Sequence, residues 1–155
     1  MFSLSAFGIE ALILATLIAV LAYIIVDDMR NFRIRNDVVL VLLALFAVFA
    51  LVRGDWAWLG GHLAFGAVMF ALLLGMYALG WMGGGDVKLL AVAFLWLGMD
   101  HSSGFAMFLA LFTMLYVVAV KFLPLPIPKK SVSGKTRIPY GPAIACAWIT
   151  TLAVS

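Results

Sequence analysis

Residues 4–26 read LSAFGIEALILATLIAVLAYIIV, an apolar run that carries one charged residue, Glu10. A helix that rises 1.5 Å per residue needs about 20 mostly apolar residues to cross a bilayer. The run lacks the basic start and the small-residue cleavage site of a secretory signal. We therefore predict a membrane-spanning helix that ends at Asp27 and Asp28.

The composition of the whole chain is that of an integral membrane protein. Of its 155 residues 66% are apolar and 11% are charged, against about 45–50% and 25% in soluble domains. No stretch has the low hydrophobicity and high charge of a disordered segment. The single cysteine, Cys146, excludes an internal disulfide and a cysteine zinc cluster.

Five further apolar stretches follow the first one. Polar breaks separate them at 53–55 and at 99–104, and a loop rich in Pro, Lys and Ser covers 124–137. The sequence thus predicts an all-α, polytopic bundle of about six transmembrane helices in a single domain, residues 1–155. The predicted spans are 4–26, 38–52, 56–79, 87–98, 105–123 and 138–155.

The basic residues predict the orientation of this bundle. Cytoplasmic loops of membrane proteins carry an excess of Lys and Arg, and this explains the net charge of +3 better than a nucleic-acid partner does. With six spans, Arg53 alone lies on one side, and both chain ends lie with it outside the cytoplasm. The other nine basic residues share the cytoplasmic side: Arg30, Arg33, Arg35, Lys88, Lys121, Lys129, Lys130, Lys135 and Arg137.

Two acidic residues fall at helix ends on the predicted cytoplasmic face. Asp28 follows the first span and Asp86 precedes the fourth. Ionisable groups near the membrane are costly, which makes each a candidate functional group. Two adjacent carboxyl groups would share a proton, so that one acts as base and the other as acid, as in an aspartyl protease.

Three glycines, Gly83, Gly84 and Gly85, immediately precede Asp86. They give the backbone access to positive φ and allow a substrate or another helix to approach closely. A carboxylate at this position is also stabilised by the amino end of its helix. On these grounds alone, Asp86 is as well explained as an N-cap residue as it is as a catalytic group.

Three segments resemble the type IV prepilin peptidases, bacterial membrane aspartyl proteases whose G-x-G-D motif presenilin shares. The first, 83–90, reads GGGDVKLL and contains that motif. The second is Asp28-Met29-Arg30 followed by Ile34-Arg35-Asn36, where the family has Asp-x-Arg-x-x-x-Ile-Pro-Asn; Arg35 replaces the usual Pro. The third, 138–145, reads IPYGPAIA and is similar to the segment that opens the family's last helix.

The resemblance implies a specific activity. Asp28 and Asp86 would be the catalytic pair, and the enzyme would cleave prepilin or pseudopilin leader peptides at the cytoplasmic face of the bacterial inner membrane, without metal or cofactor. Long members of the family carry four cysteines in an additional domain, and this chain has neither those cysteines nor that length. The resemblance therefore implies the short form of Flp and Tad pilus systems, without methyltransferase activity. The matches also suggest residues that shape the site: Gly83, Gly84, Gly85, Lys88, Asn36, Tyr140 and Gly141.

Two other functions are compatible with these residues. A small transporter or proton channel would also carry acids in its helices, although near the membrane midplane, and a non-catalytic scaffold of a pilus or secretion apparatus would need no acid pair. Lys88 is equally well explained as a cation that reaches the membrane interface. Asp27 is expected to be a solvated acid, and His62 and His101 are expected near the outer face. The sequence leaves the oligomeric state open.

Overall fold

The computed structural model describes residues 4–122, 130–132, 135–137 and 139–154. Within these ranges the chain is helical apart from one short strand pair, which confirms the predicted helical class. Helices α1 to α4 are long and apolar enough to cross a membrane. The elements are α1 (Leu4–Asn31), α2 (Asn36–Arg53), α3 (Trp56–Ala78), α4 (Gly84–Phe122), β1 (Lys130–Val132), β2 (Lys135–Arg137) and α5 (Gly141–Val154).

Helix α4 is folded back on itself at Gly98. This residue has φ 61° and ψ −168°, a non-helical conformation within the 39 residues of α4. The rings of Phe94 and Phe105 lie with centroids 5.3 Å apart, whereas eleven residues of straight helix would separate them by about 16 Å. The segments 84–97 and 99–122 therefore form a helical hairpin, and the described chain contains six helical segments.

The side chain of His62, on α3, packs against the turn of this hairpin. Its Nδ1 lies 2.9 Å from the carbonyl oxygen of Leu95, to which it donates, and its ring lies against Gly98. The imidazole ring of His62 also packs against the aromatic rings of Trp58 and Phe46. His62 thus donates to a carbonyl near the carboxyl end of the first segment, three residues before the break at Gly98.

Three boundary predictions were wrong. Residues 99–104 are helical, because one glycine, Gly98, makes the whole break. Helix α1 continues past Asp27 to Asn31, whose side chain donates to the Asp27 carboxylate 2.6 Å away. The loop predicted at 124–137 contains the antiparallel strands β1 and β2, while its residues 124–129, with the three prolines, and 133–134 lie outside the described residues.

The turn between α2 and α3 confirms the predicted polar break. Gly54 ends α2 in the left-handed conformation, with φ 66°, which glycine adopts without steric cost. Asp55 then caps α3, because its Oδ1 accepts a hydrogen bond of 2.9 Å from the backbone N–H of Trp58. This turn lies at the same end of the bundle as His62.

The short helix α5 lies inside the bundle and packs against both α1 and α4. Its 14 residues span about 21 Å, less than the hydrocarbon thickness of about 30 Å. Ile144 and Trp148 are fully buried. Because α5 starts where α1 ends, its first residue is held against the carboxyl-terminal part of α1, close to Asp28.

Candidate active site

Asp28 and Asp86 line the same cavity, which has a volume of about 650 Å³. It lies at the end of the bundle where α1 ends and where α4 and α5 begin. The fold thus brings two acids from different helices into the lining of one cavity. The other lining residues are Phe32, Arg33, Ile34, Tyr77, Gly80, Trp81, Met82, Gly83, Gly84, Gly85, Pro139 and Tyr140.

Asp28 is held by the beginning of α5. Its side chain is 4% exposed, and its Oδ2 accepts a hydrogen bond of 2.8 Å from the backbone N–H of Gly141. The first N–H groups of a helix lack partners within the helix, and they carry the positive end of its dipole. Pro142 suits the first turn because it needs no such partner. The Gly141 N–H therefore favours the ionised form of Asp28, whereas burial of the side chain opposes a charge there.

Asp86 has a different environment. It lies in the first turn of α4 and is partly buried, and no N–H or O–H group of the described residues donates to its carboxyl group. The alternative N-cap role therefore does not match the structure, because an N-cap side chain accepts from the first turn. Its carboxyl group is left free to interact with whatever enters the cavity.

The three glycines before Asp86 allow neighbouring side chains to approach the backbone closely. A Cβ at Gly84 would lie 3.2 Å from the Tyr77 ring, and one at Gly85 would lie 3.3 Å from Ile34. A Cβ at Gly83 would lie 2.8 Å from the Asp86 carboxylate. The expected positive φ is not found there, since the described glycines with positive φ are Gly54, Gly80 and Gly98. Close packing, and not backbone conformation, is the role of these glycines.

Lys88 and Asn36 contact each other and lie outside the cavity lining. The Lys88 Nζ donates to Asn36 Oδ1 at 2.8 Å, which joins the beginning of α2 to α4. Asp27 also lies outside the lining and bonds to Asn31. Of the neighbouring acids on α1, the structure thus brings Asp28, and not Asp27, to the cavity.

Arg35 has a backbone conformation that proline also adopts. Its φ of −78° and ψ of 143° lie close to the values that a proline ring favours. The replacement of the family's usual Pro is therefore compatible with an unchanged loop. The side chain instead forms an ion pair with Asp37, and the hydrogen bond to Asp37 holds the pKa of Arg35 above its ordinary value.

Tyr140 lines the cavity and is fixed by a residue that the sequence did not single out. Its hydroxyl lies 2.7 Å from Thr113 Oγ1, on the second segment of α4, and Thr113 also donates to the Leu109 carbonyl. Tyr140 therefore donates to Thr113. This bond ties the start of α5 to α4 directly beside the Gly141 contact to Asp28.

Sequence reasoning missed most of the cavity wall. Phe32, Tyr77, Trp81 and Met82 all line it, and Phe32 has a positive φ of 53°. Aromatic residues at a membrane boundary are commonly interfacial anchors, so their identity alone carries no signal. The two loops that meet here, 32–35 and 79–83, flank the predicted catalytic acids in sequence, which was the available indication.

We expect Gly141→Ala to displace the Asp28 carboxylate and to impair a reaction at this site without unfolding the protein. A Cβ at Gly141 would lie 2.8 Å from Asp28 Oδ2 and 3.1 Å from its Cγ, so the carboxylate must shift. A displacement of about 1 Å in a catalytic group can cost about 100-fold in rate, and we expect kcat to fall roughly 10- to 100-fold. Gly60→Ala, at a position with open space, is the matched control and should retain wild-type kcat.

Together the helices and the cavity define a multi-pass helical membrane protein with two acidic side chains in one site. Residues 15–120 match the family model of the type IV leader peptidases. The chain belongs to the type IV leader peptidase family, and it is accordingly a peptidase. The matched region contains Asp28 and Asp86, while Tyr140 and Gly141 lie beyond it. No curated protein and no solved structure matches the chain.

Proposed function

We propose that this chain is an aspartyl endopeptidase that removes the leader peptide of Flp-type prepilins at the cytoplasmic face of the bacterial inner membrane. The observation that carries the proposal is the shared cavity of Asp28 and Asp86. The family assignment supports peptide hydrolysis. A transporter is not favoured, because both acids lie at helix ends and transporter sites lie near the midplane.

The different surroundings of the two acids suggest their roles. Asp28 accepts the N–H of Gly141 at the positive end of α5, which favours a carboxylate and hence the base. Asp86 receives no hydrogen bond from the described residues, so we assign it as the protonated partner. Two carboxyl groups whose surroundings differ in this way commonly divide the roles of base and acid.

Each step of the proposed reaction moves a proton between named groups. Asp28 removes a proton from a water molecule as its oxygen bonds to the scissile carbonyl carbon, and Asp86 gives its proton to the carbonyl oxygen. The resulting tetrahedral diol then loses the amine. Asp28 protonates the leaving nitrogen, a hydroxyl proton returns to Asp86, and the C–N bond breaks. The pair is then restored to its starting protonation.

The basic residues support the proposed orientation. Arg30, Arg33, Arg35 and Lys88 lie at the end of the bundle that contains the cavity, while Arg53 lies at the other end, over the Trp58 ring. By the positive-inside rule the cavity end faces the cytoplasm. With all six helical segments crossing the membrane, both chain ends lie outside the cytoplasm. We also propose that residues 1–155 form one membrane peptidase domain.

The test is cleavage of a substrate in cells. The chain is co-expressed with a Flp-type prepilin in a host that lacks its own prepilin peptidase, and the mass of the pilin is measured. We expect loss of the leader and, as the resemblance to the short form implies, an unmethylated mature amino terminus. A pilin that keeps its leader, although the chain accumulates in the membrane, would favour the scaffold hypothesis.

A further inference from the structure

The hydroxyl group of Tyr116, on the second segment of α4, is buried without a hydrogen-bond partner among the described residues. The ring is only partly buried, so the hydroxyl points inward while part of the ring remains at the surface. A buried donor without an acceptor costs free energy, and such groups are rare. A hydroxyl kept in this position therefore suggests a partner in another state of the enzyme.

Asp28 is the acceptor that this geometry offers. Tyr116 lies one helical turn after Thr113, whose hydroxyl bonds to Tyr140. Gly141, which follows Tyr140 in the chain, donates to Asp28. Residues three apart lie on the same face of a helix, so Tyr116 faces the same side as Thr113, towards the start of α5. The Gly141 bond uses Oδ2 of Asp28, and no described residue donates to its Oδ1. Tyr116 is absent from the cavity lining, which argues against direct contact with substrate.

Resting on the proposed function, we propose that Tyr116 is a positioning residue that donates its hydroxyl hydrogen bond to Oδ1 of Asp28 when substrate is bound. Catalytic hydrogen bonds are often long in the free enzyme and close only in the substrate complex. With Gly141 on one oxygen and Tyr116 on the other, the carboxylate plane cannot rotate. A lone pair then stays directed at the attacking water.

The test uses Tyr116→Phe, which removes one oxygen atom. Purified wild-type and variant proteins cleave a purified Flp-type prepilin in detergent micelles, and kcat, KM and the melting temperature are measured. Loss of a hydrogen bond to a charged group predicts a kcat about 10- to 100-fold lower. We expect KM within about twofold of wild type, because Tyr116 is absent from the cavity lining and acts on the orientation of Asp28 during the chemical step. The melting temperature should be equal or higher, because an unsatisfied hydroxyl is removed.

Tyr23→Phe is the matched control. Tyr23 lies on α1 and is 47% exposed, so its variant should keep wild-type kcat, KM and melting temperature. A Tyr116→Phe enzyme with wild-type kcat overturns the inference and leaves the proposed function standing. A kcat that falls together with the melting temperature, or a raised KM with unchanged kcat, also overturns it. A wild-type protein that cleaves no prepilin overturns the proposed function, and this inference with it.

Discussion

Asp28→Asn and Asp86→Asn should each lower prepilin cleavage by roughly 1,000-fold or more, since either change removes the base or the acid of the proposed reaction. The fold should survive both changes. An asparagine oxygen at position 28 can still accept the Gly141 N–H, and Asp86 accepts no hydrogen bond from the described residues. The measurement is the rate of leader removal, with the amount of variant in the membrane determined in parallel.

Asp27→Asn is the control that the chain itself supplies. This neighbouring acid bonds to Asn31 and lies outside the cavity lining, so its loss should change the rate by no more than a few-fold. Cleavage that persists in either the Asp28 or the Asp86 variant assigns that residue a structural role. Equal losses in all three variants would indicate a general need for acidic charge at this membrane boundary.

Gly98→Ala should be the most destabilising single substitution among the described glycines. At φ 61° and ψ −168° the backbone occupies a region that is essentially restricted to glycine. A Cβ would also lie 2.6 Å from the Cε1 and Nε2 atoms of His62. Backbone strain and overpacking each cost about 1–3 kcal/mol, so we expect the free energy of unfolding to fall by about 3–5 kcal/mol. Thermal unfolding in detergent measures this change.

Two further variants separate the causes. Gly104→Ala, on the same helix in open space, should be neutral or stabilise by up to about 1 kcal/mol. Adding His62→Ala to Gly98→Ala removes the ring contact and leaves the backbone strain, so the double variant should recover part of the lost stability relative to the sum of the single changes. A Gly98→Ala protein as stable as Gly104→Ala would contradict the hairpin described for α4.

The candidate acids could be found from the sequence because their evidence is local. Asp28 and Asp86 stand in short motifs with fixed spacing, and the charge pattern along the chain placed them on one face. The turn at Gly54 and Asp55 was predicted for the same reason, since a polar run with a glycine between two apolar stretches is a local signal. The sequence analysis placed the break at the polar run 99–104, but these residues form the start of the second helical segment and the break is at Gly98.

The sequence by itself determined that this is a helical membrane protein, and it identified Asp28 and Asp86 as the pair to test. The tertiary structure alone decided the contacts around the cavity: Gly141 donates to Asp28, and Tyr140 bonds to Thr113. The physical reason is that these helices are apolar around much of their circumference. Their hydrophobic periodicity therefore does not reveal which face packs inward, and contacts between distant segments become visible only once the helices are packed together.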